Sequence, residues 1–187
     1  MFHRTQRLLL RPTWPEDWQM LFAGIADQDV VHNLATAPWP YEEDDARAFA
    51  QREQDAYVPG FAVTLPGEGL IGGAGLGYDE HDQVQLGYWI ARDHWGKGYA
   101  SEAARGVLAI AGMIGHKRVV ASHFVDNPAS GRVLCKVGFS PTGEVRPGHS
   151  LARGRSDPVA CYEIVLDGLE REGDERLRAS PPLKNAA

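Results

Sequence analysis

Between Trp89 and Ala103 the chain reads WIARDHWGKGYASEA: a strand-like run, a loop with glycines at 96 and 98, and the start of a helical pattern. Glycine lets a backbone approach a ligand with no side chain in the way. The first N–H groups of a helix have no intrahelical partner, and the helix dipole favours negative charge beside them. Strand, glycine loop and helix start together describe an anion site, and a pyrophosphate suits it. Lys97 would add a positive charge at the rim. The plain alternative is a strand-to-helix turn whose glycines only relieve strain. Two nucleotide motifs fail. A phosphate loop needs Ser or Thr after its lysine, and Lys97 is followed by Gly98. The run Gly72-Gly73-Ala74-Gly75-Leu76-Gly77 leads to a turn and another strand, with the wrong spacing for a dinucleotide fingerprint. It reads as a strand of small residues against which something packs closely.

The elements that must position this loop follow from periodicity and punctuation. Arg7 to Arg11 reads as a strand, and Thr13-Trp14-Pro15-Glu16 has the capping-box spacing that opens a helix through Phe22. Helical stretches follow at Asp27 to Leu34 and Glu43 to Gln54, separated by an irregular loop around Pro38 and Pro40. Gly60 to Leu65, Leu70 to Tyr78 and Val84 to Ala91 alternate with turns, as in an antiparallel meander. Ser101 to Ile114 has helical period, Arg118 to Val125 is a strand, and Ala129 to Val137 is a helix stopped by Gly138. Gly143 to Ala152 and Val159 to Leu166 are the last strands. The expectation is one α/β (α+β) domain over 1–167, with a mixed, mostly antiparallel sheet of six to seven strands flanked by helices. Residues 168–187 read as a charged, then proline-rich tail.

Composition narrows the function classes. The 187 residues suit one domain with a sizeable core, and the formal net charge is −6. No basic footprint for nucleic acid is visible. Cys135 and Cys161 lack metal-ligand spacing, so no metal is expected, and both read as reduced and buried. No apolar run suggests a signal peptide or a membrane span, which points to the cytoplasm.

The loop resembles motif A of the GNAT acetyltransferases, Q/R-x-x-G-x-G/A. Gly98 and Ala100 match its fourth and sixth positions, whereas Trp95 stands at the first. The run WGKGYASEA is similar to the branch that includes bacterial acetyltransferases of ribosomal-protein N-termini. So are TQRLLLR at 5–11, LGYWI at 86–90 and DNPASGRVLCKVGF at 126–139, in the same order along the chain.

The resemblance implies an acetyl-CoA-dependent N-acetyltransferase with a GNAT-like fold. It places the CoA pyrophosphate on the amides of Gly96, Lys97, Gly98, Tyr99, Ala100 and Ser101. The Ile90 amide would polarise the acetyl carbonyl, as an oxyanion-type donor does. Asn127 would hold the CoA arm and Ser130 would contact CoA, although both types also cap helices. The implied reaction is direct transfer to a primary amine, on a protein N-terminus or a small molecule.

Two departures bear on catalysis. The tyrosine acid of many family members falls at Leu134, and the usual glutamate base at Gln85. His123 is the candidate base, against a reading in which its ring simply packs. Trp39 and Tyr41 either line the acceptor cleft or staple the helices. Three functions stay open on these residues: N-acetyltransferase, acyltransferase for a longer acyl group, and silent acyl-CoA-binding module. Nothing in the sequence demands an oligomer.

Overall fold

The computed structural model describes residues 1–166. The expected tail, and with it the boundary after residue 167, lies outside the described residues. One sheet of eight strands runs in the order β1-β2-β3-β4-β5-β6-β8-β7. Its strands are β1 (His3–Arg4), β2 (Leu9–Arg11), β3 (Gly60–Leu65), β4 (Gly69–Tyr78), β5 (Val84–Ile90), β6 (Arg118–Phe124), β7 (Ser140–Ser150) and β8 (Arg155–Val165). The helices are α1 (Trp18–Ile25), α2 (Gln28–Val31), α3 (Glu43–Ala50), α4 (Tyr99–Met113) and α5 (Pro128–Lys136). The class is as expected, but the count of six to seven strands is corrected to eight. The strand missed was β1, two residues long and too short for any periodicity.

The sheet is buried on both faces, so strand residues alternate between two cores. Phe61 and Val63 of β3 join Leu8, Leu10, Ile71 and the α4 side chains Ala104, Val107, Ile110 and Ala111. Ala62 between them joins Leu21, Ile25 and Val31 on the opposite face, under α1 and α3. The period-2 pleat makes this division.

The first helix starts one residue later than the capping box at Thr13 suggests. Asp17 accepts from the Trp14 N–H at 2.8 Å, and Pro15–Asp17 form a 3-10 turn before α1. Asp17 prevails over Glu16 because its carboxylate also takes both Arg11 Nη atoms at 2.7 Å. The glycines of β4 have a packing reason. A Cβ on Gly72 would stand 2.4 Å from the Trp89 carbonyl oxygen, which is backbone and cannot move aside. Cys161 is buried as expected, whereas Cys135 is exposed on α5. Among the described residues no helix is long and apolar enough to cross a membrane.

Candidate active site

β5 and β6 form the one parallel pairing among the described residues, and they share a single register pair, Gln85 with Val120. Beyond it the two strands part. On the other side of β5, Ala91 N–H donates to the Ile71 carbonyl at 2.8 Å, and Ile90 faces Gly72 in register. Bonded and non-bonded pairs alternate in an antiparallel ladder. Ile90 and Tyr88 therefore turn their backbone N–H and C=O away from β4, into the gap. That gap is a cavity of about 1010 Å³, lined from both strands, the 95–101 loop and α5.

The loop closes one end. Trp95 Nε1 donates to the Ile90 carbonyl at 2.6 Å, which leaves the Ile90 N–H as the cleft-facing group of that residue. Gly96 and Gly98 have φ of +73° and +82°, left-handed values that disfavour a side chain. Nothing lies within 4 Å of a Cβ built on Gly96. Gly98 caps α4 through its backbone, and the first helical bond runs from Glu102 N–H to the Gly98 carbonyl at 3.1 Å. The amides of Tyr99, Ala100 and Ser101 thus lack helical partners. These three residues line the cavity with Gly96, Gly98 and Ile90; Lys97 does not, and its side chain is exposed.

The loop is braced from the N-terminal strand region. Glu102 accepts from Thr5 Oγ1 at 2.6 Å, Arg7 N at 2.6 Å and Arg7 Nε at 2.7 Å. Arg7 also donates to the Lys97 carbonyl at 3.1 Å and sits 4.6 Å over the Tyr99 ring. Burial pushes the Glu102 carboxyl upward. The Thr5 and Arg7 hydrogen bonds and the Arg7 charge outweigh that push and hold it below the ordinary range.

On the far wall, Asn127 Oδ1 accepts from Ser130 N–H at 3.3 Å and so caps α5. Asn127 also lines the cavity, so the capping and the cleft-facing placements hold together. Ser130 Oγ lies 2.7 Å from the Tyr88 hydroxyl across the cleft. Burial pushes the Tyr88 phenol up to about 12, so it stays neutral. His123 borders the cavity, but its ring nitrogens are engaged elsewhere. Nδ1 lies 2.8 Å from the Phe124 carbonyl, which fixes the proton there. Nε2 is then the acceptor for the Tyr162 hydroxyl at 3.3 Å. Leu134 is 1% exposed in the core. Gln85 donates to Ser122 Oγ at 3.0 Å.

The open end differs from expectation. Trp39 is exposed and Tyr41 is packed with Leu21 and Ile25; neither lines the cavity. Desolvation, with the Asp45 charge adding to it, raises the Tyr41 phenol to about 12. The wall is built instead by residues 33–36, by Tyr78, Asp79 and Glu80, and by Arg146 and His149. Residue type misled here, because an aromatic ring in a loop serves a core as well as a cleft. Ala35 and Thr36 carry no sequence signal of their own.

A family model described as "Acetyltransferase (GNAT) domain" matches residues 7–140. The uncharacterized N-acetyltransferase YoaA of Bacillus subtilis (strain 168) is 29% identical over 169 residues, covering 86% of this chain and 94% of YoaA. The ribosomal-protein-serine acetyltransferase of Escherichia coli (strain K12) is 27% identical over 138 residues, covering 69% of this chain and 76% of that protein. The crystal structure of a GNAT-family acetyltransferase from Bacillus anthracis superposes with a TM-score of 0.76 at 26% identity, covering 89% and 99% of the two chains. With a strand-loop-helix anion site set at a forked sheet, and a family match across most of its length, this chain belongs to the GNAT acetyltransferases, the acetyl-CoA-dependent N-acetyltransferase enzymes.

Proposed function

We propose that the protein transfers an acetyl group from acetyl-CoA directly to a primary amine, on a protein N-terminus or a small molecule, in the cytoplasm. One observation carries the reading. A single cavity is lined by the α4 residues with unpaired amides, by Ile90 and by the Ser130–Tyr88 hydroxyl pair, and residues 33–36 and Arg146 line it as well.

The residues present fit the cosubstrate. The unpaired amides of Tyr99, Ala100 and Ser101 suit an anion, and the open space beside Gly96 admits one. The gap beside β5 accepts an extended arm that can pair with Tyr88 and Ile90. When bound, acetyl-CoA supplies an activated acetyl thioester. The Ile90 N–H, turned into the gap, would donate to the acetyl oxygen as negative charge develops on it. Ser130, oriented by Tyr88, would offer its hydroxyl as a hydrogen-bond donor to the departing sulfur; with a free thiol pKa near ~8.5 the thiolate can leave and take its proton from water, which receives the one the amine gives up. The amine gives up its proton to water in the cleft or to His123, which borders the cavity and whose Nε2 lies 3.3 Å from the Tyr162 hydroxyl. The E. coli relative, named a ribosomal-protein-serine acetyltransferase, supports a protein as acceptor.

A second reading, acyl-CoA binding without turnover, is favoured by Leu134 and Gln85 at the usual acid and base positions. Calorimetric titration with acetyl-CoA, followed by a thiol-release assay against amines and N-terminal peptides, separates the two. Binding with release establishes the transferase. Binding without release against every acceptor favours the silent module, and absence of binding overturns both.

A further inference from the structure

The acidic side chains that line the cavity are Asp79 and Glu80, and both stand on the turn between β4 and β5. Register sets this turn far from the anion site. Tyr78 pairs with Val84 at the start of β5, whereas the 95–101 loop follows Ile90 at its end. At about 3.4 Å per residue, roughly 20 Å of strand separates Val84 from Ile90. Arg146 of β7 reaches the turn, and β7 continues to Ser150, whose Oγ donates to the Leu34 carbonyl at 2.8 Å. One strand thus runs from the charged turn to the cavity wall at residues 33–36.

Every nitrogen of the Arg146 guanidinium has a partner. Nε donates to Cys161 Sγ at 3.4 Å, Nη2 donates to Asp79 Oδ2 at 3.4 Å, and Nη1 pairs with Glu80 Oε1. Asp79 is the structural member. Its side chain is 4% exposed, and Oδ1 accepts from the His81 and Gln83 N–H groups at 2.9 Å, which closes the turn. Its charge balances Arg146. Glu80 is the surplus carboxylate, with a side chain 58% exposed. Its contacts with Arg146 and with His81 Nε2, at 3.8 Å, both fall on Oε1, so Oε2 is the oxygen left for a ligand. Two carboxylates against one guanidinium give this end of the cavity an excess negative charge, and a walled cavity concentrates the field. A guanidinium whose nitrogens are all engaged cannot take a ligand carboxylate without giving up a partner.

We propose that Glu80, held in place by Arg146, is a specificity-determining residue that receives a second positive charge on the acceptor. The protein then favours amines that carry a further ammonium or guanidinium group over uncharged amines of the same length, and disfavours those that carry a carboxylate, because like charges brought together are costly. The inference rests on the transfer reading given above and narrows its acceptor.

The test compares kcat/KM among α,ω-diamines, n-alkylamines and ω-amino acids matched in length from propyl to octyl. Thiol release is read with saturating acetyl-CoA at about pH 8, where histidine side chains are ordinarily neutral. Peptides that differ only in a lysine, norleucine or glutamate after an N-terminal serine form a second series. In the unaltered protein the cationic member exceeds the neutral one by about tenfold at the best length, the low end for a hydrogen bond to a charged group. That is more than the second reactive amine of a diamine accounts for, and the anionic member is the poorest. Glu80→Gln keeps the shape of an exposed side chain and leaves Arg146 its bonds to Asp79 and Cys161, so the fold stands and acetyl-CoA titrates as before. In that variant the ratio of cationic to neutral acceptor falls toward unity, and Glu80→Lys inverts the order. Release without preference among the three charges, preference for the anionic member, or a preference that survives Glu80→Gln overturns the role of Glu80 and leaves the transfer reading standing. Absence of release with every member of both series, while acetyl-CoA binds, overturns the transfer reading and this inference with it.

Discussion

The hydroxyls of Tyr88 on β5 and Ser130 on α5 meet at 2.7 Å across the fork of the sheet. The Tyr88 hydroxyl also donates to the Ser130 carbonyl at 3.2 Å. In the proposed reaction the tyrosine orients the serine, and both line the cavity. Ser130→Ala is expected to lower kcat by about 10–100-fold, the low range for general acid catalysis with a good leaving group, while acetyl-CoA affinity by calorimetry holds. Tyr88→Phe should cost less. Equal turnover in Ser130→Ala would remove the serine from hydrogen bonding to the departing sulfur.

Gly98→Asp tests the anion site. The substitution places a carboxylate against the α4 amides and a side chain at φ +82°. Acetyl-CoA binding should be lost, while circular dichroism shows a folded protein. Gly98→Ala carries the conformational cost alone, about 1–2 kcal/mol. It should weaken binding less than the aspartate does.

Glu102 makes acid stability depend on the loop brace. Its carboxyl is held below the ordinary value of 4.5 when folded. The stability it contributes is present above the unfolded-state value and is lost as pH falls through the folded one. Glu102→Gln should therefore lower Tm at neutral pH. Thermal melts of the two proteins should converge as pH falls below the ordinary carboxylate range. A gap that stays constant with pH would show that the charge is not what braces the loop.

Asp17 and Arg11 form a pair with side chains 9% and 12% exposed. Desolvation raises the Asp17 carboxyl, and the hydrogen bonds from Arg11 and Trp14 with the Arg11 charge bring it below its ordinary range. Asp17→Ala leaves a buried guanidinium with no counter-charge and should cost about 3–5 kcal/mol in denaturant unfolding. Activity per folded molecule should hold, because neither residue borders the cavity.

The glycine loop, the order of elements and the stop at Gly138 were legible because each depends on local chemistry: left-handed φ, unpaired amides, periodic burial. The role of Thr5 and Arg7 was visible only as resemblance, since their partner Glu102 lies nearly a hundred residues away. The cavity wall at residues 33–36 was not legible at all. Residues 33–36 line it because the β7–β8 hairpin holds their carbonyls, and a carbonyl contact leaves no mark on residue type. Tyr41 shows the converse, an informative residue type whose placement the core decided. His123 was rightly placed beside the cleft, but the neighbours that engage its nitrogens, Phe124 and Tyr162, could not be read from alternation.

The parting of β5 from β6 after one shared pair gives this sheet an edge in its middle. A bare strand edge ordinarily lies at the periphery, where it can recruit another chain and seed aggregates. Here the open groups of Tyr88 and the Ile90 N–H are bordered by α5 and the 95–101 loop, so a foreign strand meets obstruction on both sides, whereas the narrower arm of the proposed cosubstrate would fit lengthwise. The same geometry that makes the groove receptive makes it discriminating: it is a strand edge guarded on both sides.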